Sequence, residues 1–169
     1  MSNDKIVADD CIVLGNAVPD LISDNRYTVC TAGYSETYGL IRIYPIPPNA
    51  NMNRWNIIEI PLERNPSDKR QESWKVQSSK NEWSSLSNKI KIVKKLSSKS
   101  KQIELVDKLY EKYGVNCIQD LNRNKLSLGM IRPSIEGHEL VKRPNYTKDV
   151  QTTFDYLVYF SSIHKIPIL

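Results

Sequence analysis

Residues 39–49 read GLIRIYPIPPN. An arginine interrupts an apolar run, and Tyr44 leads into three prolines within four residues. Side chains alternate across a strand, so Leu40–Ile46 reads as β with Leu40, Arg42, Tyr44 and Ile46 on one face. Ile41, Ile43 and Pro45 take the other. Proline cannot donate to a ladder, so Pro45, Pro47 and Pro48 end the strand and shape its exit. Arg42 and Tyr44 remain. A guanidinium beside an aromatic ring suits a phosphate-and-base contact, the fork on phosphate oxygens and the ring on a base. The same pair also suits an outward-facing arginine with Tyr44 closing the core edge.

Short strands flank this one. Cys11–Leu14 is apolar and stopped by Gly15, Tyr27–Ala32 is β-branched and aromatic, and GYSETYG at 33–39 reads as a hairpin connection. Trp55–Ile60 is a further strand ended by Pro61, and residues 72–76 form one more. Turn signals every ten to fifteen residues, with no helical period between them, predict a small β-barrel over residues 1–78. Its strand number suits an oligonucleotide-binding-like or an SH3-like barrel.

The period then changes. Leu86, Ile90, Val93 and Leu96 recur at helical spacing with lysines opposite, and residues 101–113 repeat the pattern through Ile103, Val106, Tyr110 and Tyr113. Gly114 is the expected left-handed stop, Cys117–Leu121 a short helix, and SLGMIRPSI, GHELVKR and FDYLVYF further strands. The fold class expected is α+β: a small N-terminal barrel with a helical-plus-strand segment, residues 79–169, packed on it.

Composition narrows the classes of function. The 169 residues are 40% hydrophobic and 25% charged, and no stretch approaches the ~20 apolar residues of a membrane span. Three cysteines without a close pair and a polar, acidic start predict a cytoplasmic protein of reduced thiols, without a zinc site. Net charge is +5, concentrated in the middle: residues 80–112 hold 9 basic and 4 acidic side chains. Lys89, Lys91, Lys94 and Lys95 lie in that stretch, the footprint expected of a polyanion binder.

Other candidates sit nearer the barrel. In DKRQES, residues 68–73, an extended backbone would project Asp68, Arg70 and Glu72 to one side as a ladder of alternating sign. Arg70 would then join Arg42 at a ligand, or pair with its neighbours. Trp74 is a candidate stacking platform beside Lys75, with Trp55 and Trp83 as core or rim. His138 and His164 have no partner at metal or nucleophile spacing, and no phosphate loop, nucleophile elbow, HExxH or CxxC is present. No catalytic residue, metal or cofactor is expected.

The run YTVCTAGYSETYGLIRIYPIP, with WNIIEI and DKRQES after it, resembles a group of poorly characterised prokaryotic proteins with oligonucleotide-binding-like barrels. Some are encoded near defence or mobile-element genes. The resemblance rests on Cys30, Ala32, Gly33, Gly39, Arg42 and Tyr44-Pro45, then Asp68, Arg70, Glu72 and Ser73, and covers residues 11–75. It implies a barrel that contacts nucleic acid. The function expected is therefore that of a nucleic-acid-binding or accessory subunit in a prokaryotic, defence-related system, non-enzymatic, using Arg42, Tyr44, Arg70, Trp74 and the four lysines. A protein-protein adaptor that binds an acidic partner or regulates an effector enzyme, with the same lysines as its docking surface, is the alternative, and a small metal-dependent nuclease built on Asp68 and Glu72 the third reading.

Overall fold

The computed structural model describes residues 4–17, 19–23, 26–79 and 82–132. Seven strands come first or are threaded among the turns: β1 Lys5–Asn16, β2 Asp20–Ser23, β3 Arg26–Ser35, β4 Gly39–Ile46, β5 Asn56–Arg64, β6 Ser73–Val76 and β7 Lys91–Lys95. A 3-10 turn, Trp83–Lys89, precedes β7, and two helices follow, α1 Lys99–Tyr113 and α2 Ile118–Arg123. Pairing runs β1-β3-β4-β6-β5, and β1 pairs with β5 as well, so these five strands close into a barrel. All contacts around the ring are antiparallel except β4 with β6, which is parallel. The β2 segment lies on β3, and β7 extends from β5.

Period-two patterning explains the ring. On β5, Ile58, Ile60 and Leu62 are fully buried, and Cys11, Val13, Ile41 and Ile43 meet them from β1 and β4. Each such aliphatic side chain contributes about 1.5–3 kcal/mol by leaving water. Pro61 is tolerated inside β5 because the strand changes partners there. The β7 pairing ends at Glu59, the β6 pairing begins at Leu62, and the Pro61 carbonyl accepts from Gln77 N (3.0 Å) in the gap. On β4 the strict alternation breaks near its end. A register shift opposite Val29–Thr31 turns Ile46 into the core rather than onto the Arg42 face, and the buried Thr28 hydroxyl bonds both the N–H and the carbonyl of Ile46.

The lysine-rich segment is where the expected helix fails. Residues 84–96 form the 3-10 turn and then a strand, because Leu86 is buried in the barrel's core cluster and Ile90 packs half-buried against it. The β-branched run Ile90, Ile92, Val93 then extends along β5. On α1 the buried residues are Leu105 and Leu109, with Tyr113 half-buried beside them; Ile103 is 61% exposed. They pack on Tyr34, Leu40 and Trp55, so α1 covers one side of the barrel. Ser98 caps the start of α1, and Glu36 in the β3–β4 turn holds Lys108 at 2.7 Å. Gly114 ends α1 in an extended conformation (φ −63°, ψ 135°) rather than a left-handed one. Residues 127–132 of the expected strand SLGMIRPSI make only a single bridge, Met130 to Gly114, while GHELVKR and FDYLVYF lie outside the described residues.

Close approach fixes one glycine. A Cβ on Gly33 of β3 would lie 2.7 Å from the buried Cys11 sulfur on β1. Gly33→Ala is expected to lower unfolding free energy by about 1–3 kcal/mol in urea titration. The Cys11→Ala background should remove part of that loss, and strictly additive losses would rule out this contact as the reason for the glycine.

Candidate functional site

The site is assembled where β6 docks beside β4. Arg42 stands opposite Ser73 in the parallel pair, and its backbone N–H donates to the Glu72 carbonyl at 2.7 Å. The loop from Asn65 to Glu72 is not extended. Asn65 Oδ1 accepts from the Ser67 N–H and hydroxyl, and the Asn65 carbonyl accepts from Asp68 N, which turns the chain back on itself. Asp68 thereby becomes a hub. Its carboxylate accepts from Arg42 Nη1 (3.0 Å), Arg70 Nε (2.8 Å) and Nη2 (2.7 Å), the Arg70 N–H (3.2 Å) and Ser73 Oγ (2.7 Å). Ser73 Oγ also accepts from Arg42 at 3.1 Å, so hydroxyl, carboxylate and guanidinium form a closed triangle.

The expected ladder of Asp68, Arg70 and Glu72 is only half realised. Asp68 and Arg70 do meet, but Glu72 turns the other way and is buried, its Oε1 accepting from the Ser127 N–H (2.6 Å) and hydroxyl (2.9 Å). Its Oε2 is buried without a hydrogen-bond partner among the described residues. The two carboxylates are thus engaged by different partners. No group of three or more His, Cys, Asp or Glu gathers at metal-binding distance among the described residues, and His138 and His164 lie outside them.

Electrostatics follow from this wiring. The Arg70 hydrogen bonds, ahead of Ser73's, hold the Asp68 carboxyl well below the usual carboxylate range, and Asp68 in turn raises Arg70. Burial pushes the Cys30 thiol up, while Arg42 and Arg70 pull it the other way. Cys11 is pushed up to about 12 by burial, so it packs as a neutral thiol. Arg42 is 15% exposed on its side chain and Asp68 14%, against 37% for Arg70. Arg70 is therefore the member of the cluster that reaches furthest into solvent, and Arg42 is its largely covered support.

An open cavity of about 460 Å³ lies over the cluster. Arg42, Tyr44, Asp68 and Arg70 form one wall, and Asn122, Lys125 and Leu126, from the end of α2 and the residues after it, form the other. The Arg42 guanidinium sits 5.0 Å from the Tyr44 ring centre, so the arginine and ring expected to act together are in contact. Three of the sequence-predicted residues, Arg42, Tyr44 and Arg70, are brought together here.

The others are not. Trp74 is 5% exposed, part of the barrel core, with the Arg64 guanidinium 3.8 Å over its ring; β6 points it inward, and it has no free face for a base. Lys89 is tied to Glu82 (2.7 Å) and the Gln77 carbonyl (2.9 Å). Lys91, Lys94 and Lys95 are exposed on β7, and none lines the cavity. Ser73 figures in the sequence only as part of the DKRQES resemblance, and Lys125 and the α2 wall carry no site signal there. Only the basic character of Lys125 was on view there, since its place depends on a chain reversal with a positive φ of 55°. Another recess, along α1, is lined by Glu104, Asp107 and Glu111 against a single cation, Lys108, a net negative lining that does not suit a polyanion.

One protein-family model matches residues 8–108, and its description is a domain of unknown function (DUF8758). The match takes in the whole barrel beyond its first residues, β7 and much of α1, and stops short of α2. No curated protein and no solved structure matches the chain.

Asp68 offers a direct check on the hub. A carboxyl depressed by folding contributes stability that is complete above the ordinary aspartate value of 3.8 and is lost as pH falls from there through the folded value. Asp68→Asn is expected to cost about 1–3 kcal/mol at neutral pH by urea unfolding. That deficit should hold down to about pH 5 and shrink only in stronger acid. A deficit unchanged to about pH 2 would contradict the hub.

Proposed function

The chain belongs to the DUF8758 family, a domain of unknown function, and from the site it carries we propose that it binds single-stranded nucleic acid across the Arg42–Tyr44–Arg70 cavity. The observation that carries this reading is the position of the cavity in the barrel. Taking β1, β3, β4, β5 and β6 as the five ring strands, the third and fifth run parallel, which favours an oligonucleotide-binding-like Greek key over an SH3-like barrel. In barrels of that kind the ligand lies on the face of the second and third strands, beside the loop between the fourth and fifth. Here those parts are β3, β4 and the Asn65–Glu72 loop, where Arg70 and Tyr44 stand.

The chemistry of the walls suits such a ligand. Arg70 and Lys125 supply positive charge to the cavity, and Asp68 fixes the Arg70 fork in place, so little side-chain freedom is lost when a phosphate arrives. Arg42, paired and mostly covered, acts as a buttress and not as the leading contact. The ring of Tyr44 offers a surface on which a base can stack, worth about 1–3 kcal/mol.

Fluorescence anisotropy with a labelled single-stranded oligonucleotide tests this. Log affinity should fall linearly with log salt, and Arg70→Ala should weaken binding and flatten that slope. Tyr44→Ala should weaken binding by about 1–3 kcal/mol with the slope unchanged. No binding at about 50 mM salt would overturn the proposal.

A further inference from the structure

The β7 strand presents a feature that the cavity does not use. It is the last strand of the sheet order, paired with β5 on one side, and no strand lies along its other edge among the described residues. All five of its residues are exposed, including Ile92 at 48% and Val93 at 50%. Register with β5 puts Lys91 and Lys94 on the face of Glu59 and Ile57, and Ile92 and Lys95 on the opposite face, with Val93 as the extra residue of a bulge. Lys94 and Lys95 make no ion pair among the described residues, and Lys91 makes a solvent-exposed one with Glu59 at 3.3 Å.

We infer that this edge docks an extended acidic peptide, which adds to the sheet as a further strand beside β7. An open strand edge offers a row of backbone N–H and C=O groups, and a second backbone is the partner that satisfies both. Phosphates match the lysines but leave the carbonyls and the Ile92–Val93 pair unmatched. A second copy of the chain is disfavoured, because antiparallel β7–β7 pairing would set lysines against lysines. The same charges that repel a copy attract a strand with carboxylates opposite Lys91, Lys94 and Lys95 and aliphatic side chains at Ile92–Val93. The lysines therefore select the partner, and the backbone edge and aliphatic pair hold it.

The test uses the full chain and a short fluorescein-labelled peptide with glutamates at its ends and a Val-Ile centre. Saturable binding is expected. Lys94→Glu with Lys95→Glu should weaken it at least tenfold, roughly the 1.4 kcal/mol such a ratio represents. Methylating alternate backbone nitrogens of the peptide should weaken it by a similar factor, while Arg70→Ala should leave it unchanged, which separates this edge from the cavity. Equal binding of the methylated peptide would overturn the inference, because simple charge attraction would then suffice. So would displacement of the peptide by a single-stranded oligonucleotide in both the parent and the Arg70→Ala protein, or a concentration-dependent dimer that excludes the peptide.

Discussion

Closure of the barrel rests on β6, a strand of four residues wedged between β4 and β5. Its parallel contact with β4 covers only Arg42–Ser73 and Ile43–Trp74, and its antiparallel contact with β5 covers Leu62 to Arg64. So short a pairing is sustained by what lies at its two ends. At one end Trp74 and Val76 are buried in the core, and Gln77 spans the Ile6 and Leu62 carbonyls through its side-chain amide. At the other, Asp68 binds Arg42 of β4 to Ser73 of β6. The polar cluster is thus a structural clasp before it is anything else, and the cavity exists because the clasp holds the preceding loop against the β4 face.

This dual duty explains why Arg42 is a poor solitary ligand and Arg70 a better one. A carboxylate that receives two guanidiniums and a hydroxyl is well satisfied, and breaking such a cluster by removing one partner leaves the others exposed to an uncompensated charge. Arg42 is committed to that arrangement at both its backbone and its side chain. Arg70 gives Asp68 two of its nitrogens and keeps the rest of the fork toward solvent. Charge in the cavity is therefore positive in sum while its carboxylate remains fully coordinated.

The barrel was readable because its strands are short, apolar and punctuated. Leu40–Ile46 and Trp55–Ile60 carry their period in the residues themselves, and both are strands, except that Trp55 stays in the preceding turn while β5 runs on through Pro61. The lysine segment was not readable, because Leu86, Ile90, Val93 and Leu96 fit a helical spacing that is overridden when Leu86 is buried in the barrel core and Ile90 packs half-buried against it. On α1 the apolar positions Ile103, Val106, Tyr110 and Leu105, Leu109, Tyr113 offer two competing stripes, and only the shape of the partner surface chooses the second. At the site, Arg42 and Tyr44 were legible from residue type and alternation, and Arg70 from residue type alone, because its loop is turned and not extended. Trp74 was misplaced because the face of a four-residue strand depends on a register that no local pattern supplies. The α2 wall is beyond any such pattern, since more than fifty residues separate Glu72 from Ser127.

That distant wall divides the labour of the site along the chain. The clasp and its charges come from β4, β6 and the loop between β5 and β6, whereas the opposite side of the cavity comes from Asn122, Lys125 and Leu126. The Ser127 contact to Glu72 is the seam between them. A change in length or residue on the far side of that seam alters the width and lining of the cavity without touching a single ring strand. The far wall can therefore change what the cavity admits while the clasp and the ring it closes are kept.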